Sequence, residues 1–101
     1  MYNSIMMDEF EQLLRKKEIN VIDVREDDEF ESGHIKTAKH IALGIIPESL
    51  DKLDEKEEYY IICHSGARSA RASMFLGNKG YKVINVMGGM SAYRGELKFG
   101  K

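Results

Sequence analysis

The fold of this chain is decided by one continuous stretch, Tyr59-Tyr60-Ile61-Ile62-Cys63-His64-Ser65-Gly66-Ala67-Arg68. Its first half, residues 59–63, is rich in aromatic and β-branched residues and predicts a buried strand. Its second half is a short polar loop that leads into a predicted helix over residues 69–78, with Gly80 just past its end. Met74 and Phe75 are predicted among the core residues of that helix. A strand that passes through a tight loop into a helix is typical of a parallel α/β unit.

Strand and helix patterns alternate on both sides of this stretch. We predict strands over residues 20–24, 38–43 and 83–86, and helices over residues 8–17, 27–32, 47–53 and 90–93. Asp8 is the predicted cap of the first helix and Glu11 completes a capping box, while Pro47 suits the first turn of its helix. Phe10 and Leu13 fall on one apolar face of the first helix. The alternation predicts an α/β fold with a central parallel sheet and helices on both faces.

Length and composition predict one domain over residues 1–101, with 43% apolar residues for its core. Charged residues make up 32% of the chain but nearly cancel, leaving a net charge of -2. This balance gives no electrostatic reason to expect nucleic acid or an anionic membrane as a partner. Neither a signal peptide nor a membrane span is evident, and one cysteine cannot form an intramolecular disulfide. A reducing, cytoplasmic location is therefore expected.

Cys63 is the candidate nucleophile, because loops at the carboxyl ends of parallel strands gather the active sites of such folds. Chemistry at a cysteine needs the thiolate, which is favoured by a helix N-terminus and by backbone N–H groups of the loop. Gly66 supplies the backbone freedom for a tight curl, and Arg68 brings a permanent positive charge. A free cysteine is also often buried and inert, and His64 could either steer substrate or be an ordinary exposed residue.

The same features would bind an anionic sulfur donor such as thiosulfate. The Cys63 thiolate would attack the outer sulfur, sulfite would leave, and a persulfide would remain for cyanide or a thiol to accept. This scheme needs neither a metal nor an organic cofactor. A metal site is not expected either, since the chain has one cysteine and no pair of histidines at ligand spacing.

Three ordered segments of the chain resemble the rhodanese family of sulfurtransferases. They are the Asp-Val-Arg segment at residues 21–35, the loop at residues 63–69, and the Gly-Gly-Met segment at residues 85–93. The resemblance implies the rhodanese fold and Cys63 as the sulfur acceptor. It also implies a substrate cradle formed by His64, Ser65, Gly66, Ala67, Arg68 and Ser69.

Two further residues, Asp23 and Arg25, match family positions near the active loop. They could support that loop, or form an ion pair that fixes the strand-to-helix turn. Gly88 and Gly89 are expected to serve backbone packing. The chain departs from the family pattern at Tyr93, where the family often has Trp, and at His64, where it often has Arg. The second difference could change donor preference or weaken anion binding near neutral pH.

Three rival functions stay open. Phosphatases and arsenate reductases related to this fold place five residues between Cys and Arg, whereas four separate Cys63 from Arg68 here. The shorter loop favours a sulfur atom over a tetrahedral phosphate. The protein could also relay persulfide sulfur between proteins, or be a binding module without turnover, although the retained Cys63 argues against the latter.

Overall fold

The computed structural model describes residues 2–101, and within this range five parallel strands form one sheet. The strands are β1 (Asn3–Ile5), β2 (Asn20–Asp23), β3 (Ala38–His40), β4 (Glu58–Ile62) and β5 (Lys82–Val86). The helices are α1 (Met7–Lys16), α2 (Asp27–Glu31), α3 (Ala67–Asn78) and α4 (Gly89–Ala92), with short 3-10 helices at Leu43–Glu48 and Leu50–Lys52. The predicted α/β fold with a central parallel sheet is confirmed.

Strand β4 lies in the middle of the sheet, whose order is β1-β5-β4-β2-β3. It pairs with β2 on one side and with β5 on the other, and all of these pairings are parallel. The carboxyl ends of β2, β4 and β5 therefore meet at one edge. The loop after β4 emerges at the centre of that edge, and the sequence had predicted this edge of the sheet, though not its centre, for Cys63.

Side chains of β4 alternate between two apolar clusters, one on each face of the sheet. Ile61 and Cys63 join the cluster that includes Leu76 of α3. Tyr60 and Ile62 join the cluster that includes Phe10 of α1. A central strand with both faces covered has no solvated side, which explains why residues 59–63 form a continuous apolar run.

The first strand was not predicted from the sequence. β1 has only three residues and is mostly exposed, so its pattern carries little apolar signal. It pairs with β5 at the edge of the sheet. The predicted cap at Asp8 is wrong for a related reason: β1 ends at Ile5, and α1 then begins directly at Met7 with Met6 as its N-cap. The capping box lies on α2 instead, between Glu26 and Glu29.

Three smaller predictions were also wrong. The strand predicted over residues 38–43 ends at His40, and Pro47 lies inside a 3-10 helix rather than in the first turn of an α-helix. Met74 is 56% exposed. The buried stripe of α3 is instead made of small residues and one leucine, which repeat at helical spacing: Ser69, Ala72, Ser73 and Leu76. Met74 falls outside this stripe.

No helix within residues 2–101 is long and apolar enough to cross a membrane.

Candidate active site

Cys63 is the first residue after the central strand, and it is only 1% exposed. Its side chain packs with the apolar cluster beneath α3, while the loop that follows is largely exposed. The site is therefore a buried sulfur at the base of a polar loop.

Hydrogen-bonding groups of the loop and of the first turn of α3 surround this sulfur. The Gly66 N–H donates to Cys63 Sγ at 3.0 Å, and Ser69 Oγ lies 3.3 Å from the same sulfur. Burial by itself raises the pKa of the Cys63 thiol, but the Ser69 hydroxyl and the backbone N–H groups of Ser69, Gly66 and Ser65 lower it. The balance leaves the pKa below its ordinary value. The geometry thus favours the nucleophilic thiolate.

Gly66 makes this geometry possible. Its φ is 109°, in the left-handed region that side chains other than glycine rarely adopt, and it is the N-cap of α3. The chain can therefore turn its N–H groups back toward Cys63 and enter the helix at Ala67. The positive end of the helix then points toward the sulfur, as predicted from the sequence.

The short helix α4 fixes the backbone of the site from the other side. The Met90 N–H donates to the Cys63 carbonyl at 2.7 Å, and the Ser91 N–H donates to the His64 carbonyl at 2.8 Å. Gly89 permits this approach, because a Cβ there would lie 2.4 Å from the Cys63 carbonyl oxygen. The packing role predicted for this glycine is confirmed.

Arg68 forms a bidentate ion pair with Glu29 of α2, with N–O distances of 2.6 and 2.8 Å. The hydrogen bonds from Arg68 lower the pKa of the Glu29 carboxyl to about 2, and the carboxylate in turn raises the pKa of Arg68. Arg68 stands close enough to Cys63 to interact with it electrostatically. The Arg68 guanidinium is, however, hydrogen-bonded to the Glu29 carboxylate. This counterion offsets much of the positive charge that the sequence predicted would act on Cys63.

Asp23 and Arg25 form the buried ion pair that was one of the two roles considered for them. The Arg25 guanidinium binds both carboxylate oxygens of Asp23 and also donates to the Gly33 carbonyl at 2.8 Å. These contacts tie the end of β2 to the end of α2. Their described hydrogen bonds hold the strand-to-helix turn.

The remaining predicted loop residues lie on the surface of the protein. His64, Ser65 and Ala67 are exposed. Sequence reasoning missed Glu29 and Asn85 as members of the site, and both reach it through side chains from other elements. The Glu-Phe pair at residues 29 and 30 was a possible signal for the first. No group of three or more His, Cys, Asp or Glu side chains suited to a metal ion occurs in the range 2–101.

A parallel α/β domain with a cysteine at the end of its central strand, cradled by backbone N–H groups and a helix N-terminus, defines a class of domains that favour a thiolate at that position. Within that class, residues 6–96 match the family model described as a rhodanese-like domain. The chain belongs to the rhodanese-like domain family.

Individual relatives agree with this assignment. The chain is 46% identical over 88 residues to "Putative sulfurtransferase YtwF" of Bacillus subtilis, covering 87% of this chain and 85% of that protein. It is 30% identical over 95 residues to "Thiosulfate sulfurtransferase GlpE" of Coxiella burnetii, covering 93% and 89%. The crystal structure of a rhodanese-like domain protein from Staphylococcus aureus superposes with a TM-score of 0.91 at 37% identity, covering 98% of this chain and 99% of that one.

Proposed function

We propose that this protein is a sulfurtransferase that carries sulfur as a persulfide on Cys63, with thiosulfate or a related sulfane compound as donor and cyanide or a thiol as acceptor. The observation that carries the proposal is the convergence of loop N–H groups and the Ser69 hydroxyl on the Cys63 sulfur. The names of the two relatives point to the same chemistry, and one of them includes the donor.

In the first half-reaction the Cys63 thiolate uses a lone pair to bond to the outer sulfur of thiosulfate. The sulfur–sulfur bond of thiosulfate breaks, and sulfite leaves with the bonding electron pair. The negative charge then lies on the outer sulfur of the persulfide. Backbone N–H groups of Ser65, Gly66 and Ser69 are the donors available to stabilise it.

In the second half-reaction the acceptor attacks the outer persulfide sulfur. The bond between the two persulfide sulfurs breaks, and Cys63 returns as a thiolate that is ready for another cycle. With cyanide the product is thiocyanate, and with a thiol it is a new persulfide. Each step exchanges one sulfur–sulfur or sulfur–carbon bond for another, so no external oxidant or reductant is needed.

The roles of the loop residues follow from their positions. Ser65, Gly66 and Ser69 act on the sulfur through N–H groups or a hydroxyl. His64 and Ala67 stand at the exposed mouth, where they would meet the donor or the acceptor. Arg68 adds a positive charge at longer range and, through Glu29, joins α3 to α2.

The pair Asp23 and Arg25 acts indirectly. By fixing the turn after β2, it supports the edge of the sheet from which the loop emerges. Val24 donates its N–H to the Ile62 carbonyl at 2.9 Å, so this turn is joined directly to the residue before Cys63.

The test is formation of thiocyanate from thiosulfate and cyanide by the wild-type protein and by Cys63→Ser. Turnover in the wild type and its loss in the variant are expected. Sulfur loading without turnover to cyanide, but with transfer to a protein thiol, would favour the relay function instead. Cys63-dependent turnover of a phosphate ester, without sulfur transfer, would overturn the proposal.

A further inference from the structure

The hydroxyl of Ser69 stands between three acceptors and has only one proton to give. Ser69 Oγ lies 2.5 Å from Asn85 Oδ1, 3.1 Å from the Gly66 carbonyl oxygen and 3.3 Å from Cys63 Sγ. Ser69 is fully buried, so water does not reach the hydroxyl. The direction in which it donates must therefore be decided by these neighbours.

Asn85 is the nearest of them, and its position is fixed by the sheet. It lies in β5, beside Ile61 of β4 and Ser4 of β1, and is 7% exposed. Asparagine is depleted in strands, because its side chain competes for backbone hydrogen bonds and packs poorly. A buried asparagine inside a strand therefore calls for a specific partner, and the described contact of its side-chain oxygen is the Ser69 hydroxyl.

We propose that Asn85 is a positioning residue that competes with the Cys63 sulfur for the hydroxyl proton of Ser69. It holds this proton while the sulfur is a thiol or a persulfide, and the hydroxyl turns to the sulfur when the thiolate forms. The inference rests on the proposed function, since it takes Cys63 as the residue that cycles through these three states.

The protons balance in each state. In the thiol, the Cys63 S–H donates to Ser69 Oγ, and the Ser69 O–H donates to Asn85 Oδ1. When the sulfur loses its proton to solvent base, it becomes an acceptor, and the Ser69 O–H can turn to it at the expense of the contact with Asn85. In the persulfide, the inner sulfur has neither a proton nor the charge, so the hydroxyl returns to Asn85.

Asn85 therefore stabilises the thiol and the persulfide forms of Cys63 relative to the thiolate. Removing the Ser69 hydroxyl and removing the Asn85 oxygen should therefore shift the pKa of Cys63 in opposite directions. Removal of the Ser69 hydroxyl takes a donor from the thiolate and should raise the pKa of Cys63. Removal of the Asn85 oxygen frees that donor for the thiolate and should lower the pKa.

The other charged and titratable groups of the site lie on several elements. They are the Arg68–Glu29 ion pair of α3 and α2, the Asp23–Arg25 ion pair at the end of β2, and His64 in the loop. None of them belongs to the Ser69–Asn85 pair, so they are common to all the variants compared. A change that depends on both members of the pair cannot come from these groups.

The experiment titrates the ultraviolet absorbance of the Cys63 thiolate in wild type, Ser69→Ala, Asn85→Val and the double variant, with Cys63→Ser as the blank. Valine suits a buried strand and lacks the acceptor. We expect Asn85→Val to lower the pKa by about one, giving about tenfold more thiolate at a fixed pH below it. Ser69→Ala should raise the pKa, and Asn85→Val should have no further effect in the Ser69→Ala background.

Shifts of the same sign in both single variants, or an Asn85→Val effect that persists without the Ser69 hydroxyl, would overturn the inference. Circular dichroism checks the folding of each variant, and Asn85→Ala is a second form of the same deletion. A further measurement uses isotope-labelled wild-type protein and NMR spectroscopy. The side-chain amide signals of Asn85 should be the same in the thiol and persulfide forms of Cys63 and different in the thiolate form. Identical signals in all three forms would refute the proposal. The titration needs no sulfur donor, so its failure is distinct from a failure of the sulfurtransferase proposal.

Discussion

Gly89→Ala should damage both the stability and the chemistry of the site. The φ of Gly89 is 57°, and a Cβ there would lie 2.4 Å from the carbonyl oxygen of Cys63 and 2.6 Å from that of His64. Real Cβ atoms do not approach backbone this closely, so α4 must move away. The movement breaks the hydrogen bonds from the Met90 and Ser91 N–H groups to those two carbonyls.

The magnitude follows from two contributions. An alanine in the left-handed region costs about 1–2 kcal/mol, and each lost hydrogen bond costs about 0.5–1.5 kcal/mol. Gly89→Ala should therefore lower the free energy of unfolding by about 2–5 kcal/mol. Gly80→Ala is the matched control, because Gly80 also has a positive φ, 97°, but its Cβ would have no neighbour within 4 Å. That variant should lose only the conformational part, about 1–2 kcal/mol.

Urea unfolding gives the stabilities, and the rate at which thiosulfate loads sulfur on Cys63 gives the chemistry. The control should load sulfur at the wild-type rate under conditions where it is fully folded. Folded Gly89→Ala should load it at least about tenfold more slowly, since its Cys63 and His64 carbonyls are no longer held. Equal stability losses in the two variants, together with equal loading rates, would refute the role assigned to α4.

Three other substitutions have effects that can be predicted from the contacts of the replaced residues. Gly66→Ala should slow sulfur loading by about tenfold but lower the free energy of unfolding by only about 1–2 kcal/mol. The reason is that the φ of Gly66, 109°, aims its N–H at the sulfur. An unchanged loading rate would show that this geometry is not needed. The Glu29 carboxyl has a depressed pKa of about 2, so its ion pair with Arg68 stabilises the fold above pH 4.5 and loses that effect as the pH falls toward 2. Because both side chains are 31% exposed, Glu29→Gln should cost only about 1 kcal/mol near pH 7 by urea unfolding, and a difference that grows in acid would contradict this assignment. Within residues 2–101, Ser73 Oγ is a buried side-chain atom without a hydrogen-bond partner. Ser73→Ala should therefore raise the free energy of unfolding by about 0.5–1 kcal/mol. A loss of stability would show that the hydroxyl has a hydrogen-bond partner.

The sequence predicted the central part of the fold because that part is encoded locally. Residues 59–63 are buried on both faces of the sheet, so their aromatic and β-branched character is unambiguous. The following Gly66 and the helix after it are also local signals. The order of these residues along the chain was therefore enough to place Cys63 at the carboxyl end of a buried strand.

Features that depend on distant parts of the chain could not be predicted in this way. β1 is short and exposed, and it is defined only by its pairing with β5. Arg68 contacts Glu29, which is 39 positions away in the sequence, and Ser69 contacts Asn85, which is 16 positions away. The sequence showed a free positive charge at Arg68, whereas the fold supplies its counterion. Such pairings follow from the topology of the sheet and helices, which brings α2, α3 and β5 around one loop.

The most direct test of sulfur transfer through Cys63 is the intact mass of the reduced protein after incubation with thiosulfate, measured for wild type and for Cys63→Ser. Persulfide formation on Cys63 predicts a gain of one sulfur atom in the wild type alone, with loss of that atom and release of thiocyanate when cyanide is added. A wild-type protein that gains no sulfur from thiosulfate, polysulfide or a low-molecular-weight persulfide, or a Cys63→Ser variant that gains as much, would contradict it.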